Sequence, residues 1–388
     1  MSFSLWSLCL CGFSHQQPTA FPSLCEQSMS RRSFLLIALL ALGMAALATS
    51  LQGPALWDLQ AVRVFQGNGA LKLPMEAITT LGSEGFFLPL LLLVFWCIDK
   101  PLGIDLALLL MITGSANITL KALFQGPRPF WSDLSLRLTS GASFSTPSGH
   151  ASHATVLFGY LAWWLVGGRR REERPKGSPQ RGSIAVLLLL CVFLVGLSRV
   201  YLGVHFPGDV VWGCAEGIVV LVAYVGLKPR VAGWLSERSL GAHAALATVA
   251  AASVLALNLL FLAAPAGHGP GYGGIYGEAR AQALGEAANV AGLVWGAWIG
   301  LALEGRYVRF TTSGPGGQRV LRYGLGLAGL LAVWLGLRIA FPVEPLALGM
   351  ALRVVRYAAA ALWAMFAWPW LFVRIGLGKT ERPAGSAG

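Results

Sequence analysis

Long apolar runs alternate with short polar connections along the whole chain. The runs cover 33–50, 76–98, 103–123, 150–167, 183–200, 208–227, 242–264, 287–304, 320–341 and 351–373. Each is close to the length, about 17 to 25 residues, at which an α-helix crosses the hydrocarbon layer of a bilayer. Lipid offers no hydrogen bonds, so every backbone N–H and C=O in such a run must be satisfied within it. The pattern therefore predicts helices, and an all-α, polytopic integral membrane protein of about ten spans.

The connections are short apart from 51–75, 124–149 and 265–286. The second half of the first is mildly amphipathic and is expected at the membrane interface. The stretch GHGPGYGGIYG (267–277) lacks a GxxxxGK pattern and follows a span rather than a strand, so it predicts an external loop. Gly292, Gly296 and Gly300 form a small-residue face that predicts close helix packing. Three regions are expected: a tail over 1–30, a six-span unit over 31–230, and four further spans over 231–388 of unassigned role. The tail is either an over-extended reading frame or a disordered segment. Met29, Ser30, Arg31 and Arg32 form a natural start with a positive flank, and the first span then acts as an uncleaved signal-anchor.

Composition agrees with this pattern. Hydrophobic residues make up 55% and charged residues only 12%, against about 25% charged in soluble domains. In a soluble protein the net charge of +12 would suggest a nucleic-acid partner. Here the cations sit in loops and fit the positive-inside rule, and no nucleic-acid partner is expected. The loop GGRRREERPKGSPQRG holds Arg169, Arg170, Arg171, Arg174, Lys176 and Arg181. Taking it as cytoplasmic and alternating the spans puts both termini inside. Cys9, Cys11, Cys25, Cys97, Cys191 and Cys214 form neither a disulfide framework nor a metal-site spacing.

Three segments concentrate polar chemistry. KALFQGPRP holds Lys121 and Arg128 at the end of the third span. STPSGHASHA holds Ser148, Gly149 and His150 at the start of the fourth. LSRVYLGVHFPGDV holds Arg199, His205 and Asp209 between the fifth and sixth. Alternation puts all three on the outer side, where spans three to six can bring them together. Lys121, Arg128 and Arg199 are three fixed cations, and the Arg fork suits phosphate oxygens. Ser148 stands at a helix N-cap position, and the free N–H groups behind it, with Gly149 allowing close approach, form an anion site. Pro207 suits the first turn of the sixth span. Asp209, four residues after His205, can hold one ring nitrogen and leave the other free as nucleophile or base. His150 can protonate a leaving oxygen. The set points to phosphoryl transfer at the lipid–water boundary, with the charge handled by cations and no metal or other cofactor.

The bland alternatives are real. A single Lys or Arg at a span end is commonly an interface anchor, and Arg338, Arg353 and Arg356 are read as snorkelling at a headgroup boundary. His153 and His243 are taken as structural, and His15 and His268 as loop residues. Asn117, one turn before Lys121, is expected to pack or hydrogen-bond between helices. Glu84 either lines the pocket or faces a headgroup.

Taken together, K-x6-RP (Lys121, Arg128, Pro129), PSGH (Pro147, Ser148, Gly149, His150) and SR-x5-H-x3-D (Ser198, Arg199, His205, Asp209) resemble the three-part signature of the type 2 phosphatidic acid phosphatase superfamily, without a departure. The resemblance covers about 75–228. TTLGSEGFF and FWCIDKPLG resemble bacterial members related to sphingosine-phosphate phosphatases, and the last four spans resemble a C-terminal extension of some bacterial members. The resemblance implies a metal-independent lipid phosphatase. His205 would form a phosphohistidine, Asp209 would orient it, and His150 would protonate the leaving alkoxide and then activate water. Lys121, Arg128, Ser148, Gly149 and Arg199 would hold the phosphate.

The expected substrate is a lipid phosphate entering from the bilayer: an isoprenyl diphosphate, phosphatidylglycerol phosphate, phosphatidic acid or a sphingoid phosphate. A lipid phosphotransferase using the same phosphohistidine, and a lipid or solute transporter, are the alternatives. Nothing in the chain sets an oligomeric state.

Overall fold

A computed structural model describes residues 58–67, 69–166, 179–264 and 272–381. The tail, the first expected span (33–50), Arg169 to Lys176 of the cationic loop, His15, His268, Cys9, Cys11 and Cys25 lie outside the described residues.

The described chain is helical almost throughout. Its elements are α1 (Leu59–Gln66), α2 (Lys72–Thr80), α3 (Glu84–Leu93) with a π turn at Val94–Ile98, α4 (Lys100–Phe124) and α5 (Pro129–Ser132). Then come α6 (Gly149–Val166), α7 (Pro179–Tyr201), α8 (Pro207–Ser236), α9 (Leu240–Ala263) and α10 (Gly273–Tyr307). The last are α11 (Gly316–Ala340), α12 (Leu346–Leu362), a second π turn at Trp363–Ala367 and α13 (Trp368–Arg374). Among the described residues, eight stretches are long and apolar enough to cross a membrane; α6, with 18 residues at the place of the expected fourth span, is not one of the eight.

Local sequence sets several helix ends. Asp99 caps α4 by accepting from Leu102 N at 2.9 Å, and Ser239 caps α9 by accepting from Ala242 N at 3.2 Å. Asp58 caps α1 through Gln60 N at 2.9 Å, and that short helix turns Val62 inward against Leu136, Val200 and Phe206. This agrees with the amphipathic reading of the first loop.

Two boundaries differ from expectation. The eighth span begins at Gly273 rather than near 287, so the second half of the glycine-rich stretch is helix and not loop. Tyr276, Ala279 and Ala283 in this part bury against Phe130, Trp131 and Phe144. The segment packs on protein, so a lipid-transfer criterion underestimates it. The second span is broken: α2 ends at Thr80 and α3 starts at Glu84, with Ser83 extended between them.

The four C-terminal helices share a core with the preceding ones. Phe95, Trp96, Leu106 and Leu157 cluster with Leu301, Phe310, Trp368 and Phe372. The glycine face packs closely, as expected: a Cβ on Gly292 would lie 2.3 Å from Val354 O, and one on Gly296 would lie 2.2 Å from Ala358 O. Polar ties lock the same interface. Lys100 Nζ donates to Glu304 Oε1 at 2.7 Å, both side chains buried. Arg322, fully buried, donates to Trp96 O at 2.7 Å, Ser313 O at 3.1 Å and Leu377 O. These buried charges escaped the reading of the last spans as apolar. Within the preceding helices, Asp105 accepts from Tyr160 at 2.6 Å and Tyr224 at 2.7 Å and pairs with Lys228, tying α4, α6 and α8.

Candidate active site

All three polar motifs meet at one end of the bundle. α4 ends at Gln125, whose φ of +47° turns the chain toward Arg128. Its side chain is held by Phe261 O and Ala264 O at 2.9 and 2.8 Å. Gly126 then comes so close to the second motif that a Cβ would lie 2.4 Å from Thr146 Oγ1, and Gly126 O accepts from Ser145 N at 2.9 Å. The second motif joins the third through Ser148 N, which donates to Asp209 O at 2.9 Å. Gly213 allows α8 to approach, since a Cβ there would lie 2.4 Å from Ser148 O.

His205 sits at the centre, 2% exposed. Its Nε2 faces Arg128 Nη1 at 3.4 Å. Its Nδ1 lies 3.5 Å from Asp209 Oδ2, too long for the direct hydrogen bond expected from the i, i+4 spacing. Ser145 fills the gap: its Oγ is 3.1 Å from Nδ1 and donates to Asp209 Oδ2. The network assigns the Nδ1–H tautomer, in which Nδ1–H donates to Ser145 Oγ and Nε2 keeps its lone pair. Asp209 also accepts from Thr146 Oγ1 at 2.6 Å and Phe206 N at 2.8 Å. A buried carboxylate needs such partners. Burial first, then the charges of Arg128, Arg199 and Lys121, hold the His205 proton affinity well below the ordinary histidine range.

The cations differ in their local commitments. Arg128, buried, donates through Nε to Ser143 O at 2.6 Å, through Nη1 to Val204 O at 2.8 Å and through Nη2 to Phe144 O at 3.2 Å. It therefore anchors the second and third motifs as well as placing charge beside Nε2. Arg199 Nη1 donates to Thr79 Oγ1 at 2.8 Å, while its buried Nε has no hydrogen-bond partner among the described residues. Ser148 directly precedes α6, at the expected cap position, yet its buried Oγ has no hydrogen-bond partner among the described residues. Lys121 is buried beside Gly149, where a Cβ would lie 3.9 Å from Nζ and 2.9 Å from Asn117 Oδ1. Unpartnered buried donors are costly, about 1–3 kcal/mol each. Ser148 Oγ and Arg199 Nε are suited to anion oxygens. His150 is half-buried, held from behind by Gly82, where a Cβ would lie 3.1 Å from His150 Cβ.

Asn117 bonds between helices, donating to Glu216 Oε2 at 2.8 Å and Ser152 Oγ at 3.3 Å. His153 packs edge-on against Phe87 with 5.8 Å between ring centroids. His243 accepts from Trp298 at 3.2 Å. Glu84 is exposed at the start of α3, within electrostatic range of Lys121 and Glu286. Arg338 and Arg356 lie over Trp334 at 5.5 and 5.6 Å. Sequence reasoning missed Ser145, Thr146, Thr79 and Glu216. Only Ser145 and Thr146 carried a signal, their place just before PSGH.

His205 and His150 gather with Lys121, Arg128 and Arg199 at one end of the helical bundle, an arrangement whose chemistry suits a phosphate. The chain belongs to the PAP2 superfamily. Residues 102–231 match the PAP2 superfamily and 288–381 match the PAP2 superfamily phosphatase transmembrane extension, so this is a multi-pass membrane phosphatase. Phosphatidylglycerophosphatase B of Bacillus subtilis (strain 168) is 31% identical over 163 residues, 40% of this chain and 75% of that protein. Lipid phosphate phosphatase delta of Arabidopsis thaliana is 25% identical over 178 residues, 44% of this chain and 42% of that one. The crystal structure of a transmembrane PAP2-type phosphatidylglycerolphosphate phosphatase from Bacillus subtilis aligns over 51% of this chain and 96% of its own, at 27% identity and a TM-score of 0.41.

Proposed function

We propose that the chain hydrolyses a lipid phosphate monoester or diphosphate at the extracytoplasmic face through a phosphohistidine on His205. The observation that carries this reading is the unprotonated Nε2 of a buried imidazole, facing Arg128 Nη1 at 3.4 Å, with Nδ1 tied through Ser145 to Asp209. Nε2 attacks phosphorus in line. The bond to the ester oxygen breaks, and that oxygen takes a proton from His150. Lys121, Arg128 and Arg199 carry the charge of the equatorial oxygens, with Ser148 Oγ and the N–H groups at the start of α6 completing the cradle. His150, now neutral, takes a proton from water, the hydroxide attacks phosphorus, and His205 leaves with its lone pair restored. The extracytoplasmic placement draws on loop charge and span alternation. The relatives' names support phosphatidylglycerol phosphate and other lipid phosphates as substrates.

Transfer of the phosphoryl group to another lipid is the second reading. It draws on the burial of His205, 2% exposed, which limits the approach of water.

The test is phosphate release by purified protein in detergent with excess chelator, across a panel of lipid phosphates, with His205→Ala beside wild type. Release that survives chelation and vanishes in the variant is expected. No release, or equal release from both proteins, overturns the reading.

A further inference from the structure

The roof of the site holds a cavity that phosphoryl transfer itself does not use. It has a volume of about 280 Å³ and lies between the loop after α5 and the start of α10. Phe130, Trp131, Leu134 and Ile275 supply apolar surface, and Arg137, Glu278 and Gln282 supply the polar part of its wall. We propose that this cavity is a subsite for a small, uncharged, hydroxyl-bearing group, such as a glycerol or sugar unit, attached to the scissile phosphate or offered as an acceptor alcohol. The proposal rests on the phosphatase reading and extends it to the group beyond the phosphate.

Position comes first. Gly141 belongs to the cavity wall, and a Cβ on it would lie 3.0 Å from Arg128 Nη1. The same Nη1 lies 3.4 Å from His205 Nε2. The cavity thus adjoins the guanidinium that faces the nucleophile.

Chemistry comes second. Glu278 and Gln282 stand one turn apart on one face of α10, both exposed and without a hydrogen bond to another described residue. A carboxylate accepts from hydroxyls, and an amide both donates and accepts. The Arg137 guanidinium lies 4.9 Å from the Phe130 ring centroid. Its charge and that of Glu278 offset each other, so the wall favours an uncharged guest over a second phosphate. The apolar residues suit the carbon face of such a group, while the two charges and the amide suit its hydroxyls. The volume is just under the roughly 300–1,000 Å³ of drug-sized ligand pockets, which suits a headgroup.

Rigidity comes third. Trp131 meets Tyr272 at 5.4 Å between ring centroids, and Phe144 meets Tyr276 at 5.6 Å. The Tyr276 hydroxyl donates to Gln125 Oε1, at the residue that ends α4. The first turns of α10 are therefore fastened to the chain that carries Lys121 and Arg128, and the C-terminal extension builds part of the substrate site.

The experiment uses full-length protein in detergent and compares kcat/KM for phosphatidylglycerol phosphate and phosphatidic acid. Wild type runs beside Glu278→Ala, Gln282→Ala and the double variant. A second arm adds glycerol to the phosphatidic acid reaction and follows glycerol phosphate. A fall of about tenfold or more in the ratio of the two kcat/KM values, the scale of unpairing a recognised hydroxyl, supports a headgroup subsite. Glycerol phosphate formed by wild type and lost in the double variant supports an acceptor subsite. A ratio within about twofold of wild type, with no variant-sensitive glycerol phosphate, overturns the proposal. Failure of wild type to release phosphate from either lipid, or equal release by His205→Ala, instead overturns the phosphatase reading and the subsite with it.

Discussion

Ser145 donates its hydroxyl hydrogen to Asp209 Oδ2 while its oxygen stands 3.1 Å from His205 Nδ1, so carboxylate and imidazole are coupled through a serine. Removing that oxygen leaves Nδ1 facing Asp209 across 3.5 Å. Ser145→Ala is expected to lower kcat by about tenfold to a hundredfold, the range for losing an orienting partner of a functional histidine, with KM little changed. Ser145→Thr keeps the hydroxyl and should recover part of the loss. Steady-state kinetics on all three proteins, with their pH profiles, separate orientation from misfolding.

The acid limb of activity should lie below pH 6.5. Burial, followed by Arg128, Arg199 and Lys121, depresses proton binding at His205 well below 6.5. A depressed value means the imidazole stays neutral at pH 6.5 and above, and the nucleophile is lost only as pH falls well beneath it. The measurement is log kcat/KM against pH. A limb at or above 6.5 would count against His205 as the nucleophile.

Gly149→Ala should impair chemistry more than stability. The new Cβ would sit 2.9 Å from Asn117 Oδ1, so either Asn117 or the start of α6 must shift. Misplacement near 1 Å costs about a hundredfold in a preorganised site. Phosphate release and a thermal melt in detergent give the comparison.

The Lys100–Glu304 pair should matter to folding through its loss on one side only. Glu304→Leu takes the carboxylate away from the buried Lys100 ammonium, which keeps Phe310 O at 3.4 Å, and up to about 3–5 kcal/mol of destabilisation is expected from removing one side of a buried ion pair. Lys100→Met with Glu304→Leu should recover much of that. Midpoints of thermal unfolding in the same detergent decide it.

The candidate site residues stood out in the sequence because their types and spacing suit a phosphate, and the fold brings their three segments together. His205, Asp209, Lys121, Arg128 and Arg199 each carry charge or a titratable ring where a span meets water. Ser145 and Thr146 carried only their place just before PSGH, and Thr79 and Glu216 were not legible, because a lone threonine or glutamate acquires meaning only from what folds against it. The spans were legible through hydropathy. The start of α10 was not, because Tyr276, Ala279 and Ala283 are buried by protein rather than by lipid. Glu304 and Arg322 were hidden for a similar reason: their partners, Lys100 and the carbonyls of Trp96 and Leu377, are distant in the chain.

α10 runs for 35 residues, about 52 Å at 1.5 Å per residue, while the hydrocarbon layer is about 30 Å thick. One continuous rod therefore anchors in the bilayer at its lower end and carries Glu278 and Gln282 at its upper end. Tyr276 ties the first turns of that rod to Gln125, so a tilt that fits the rod to a thinner or thicker membrane is resisted at the end that lies beside the site.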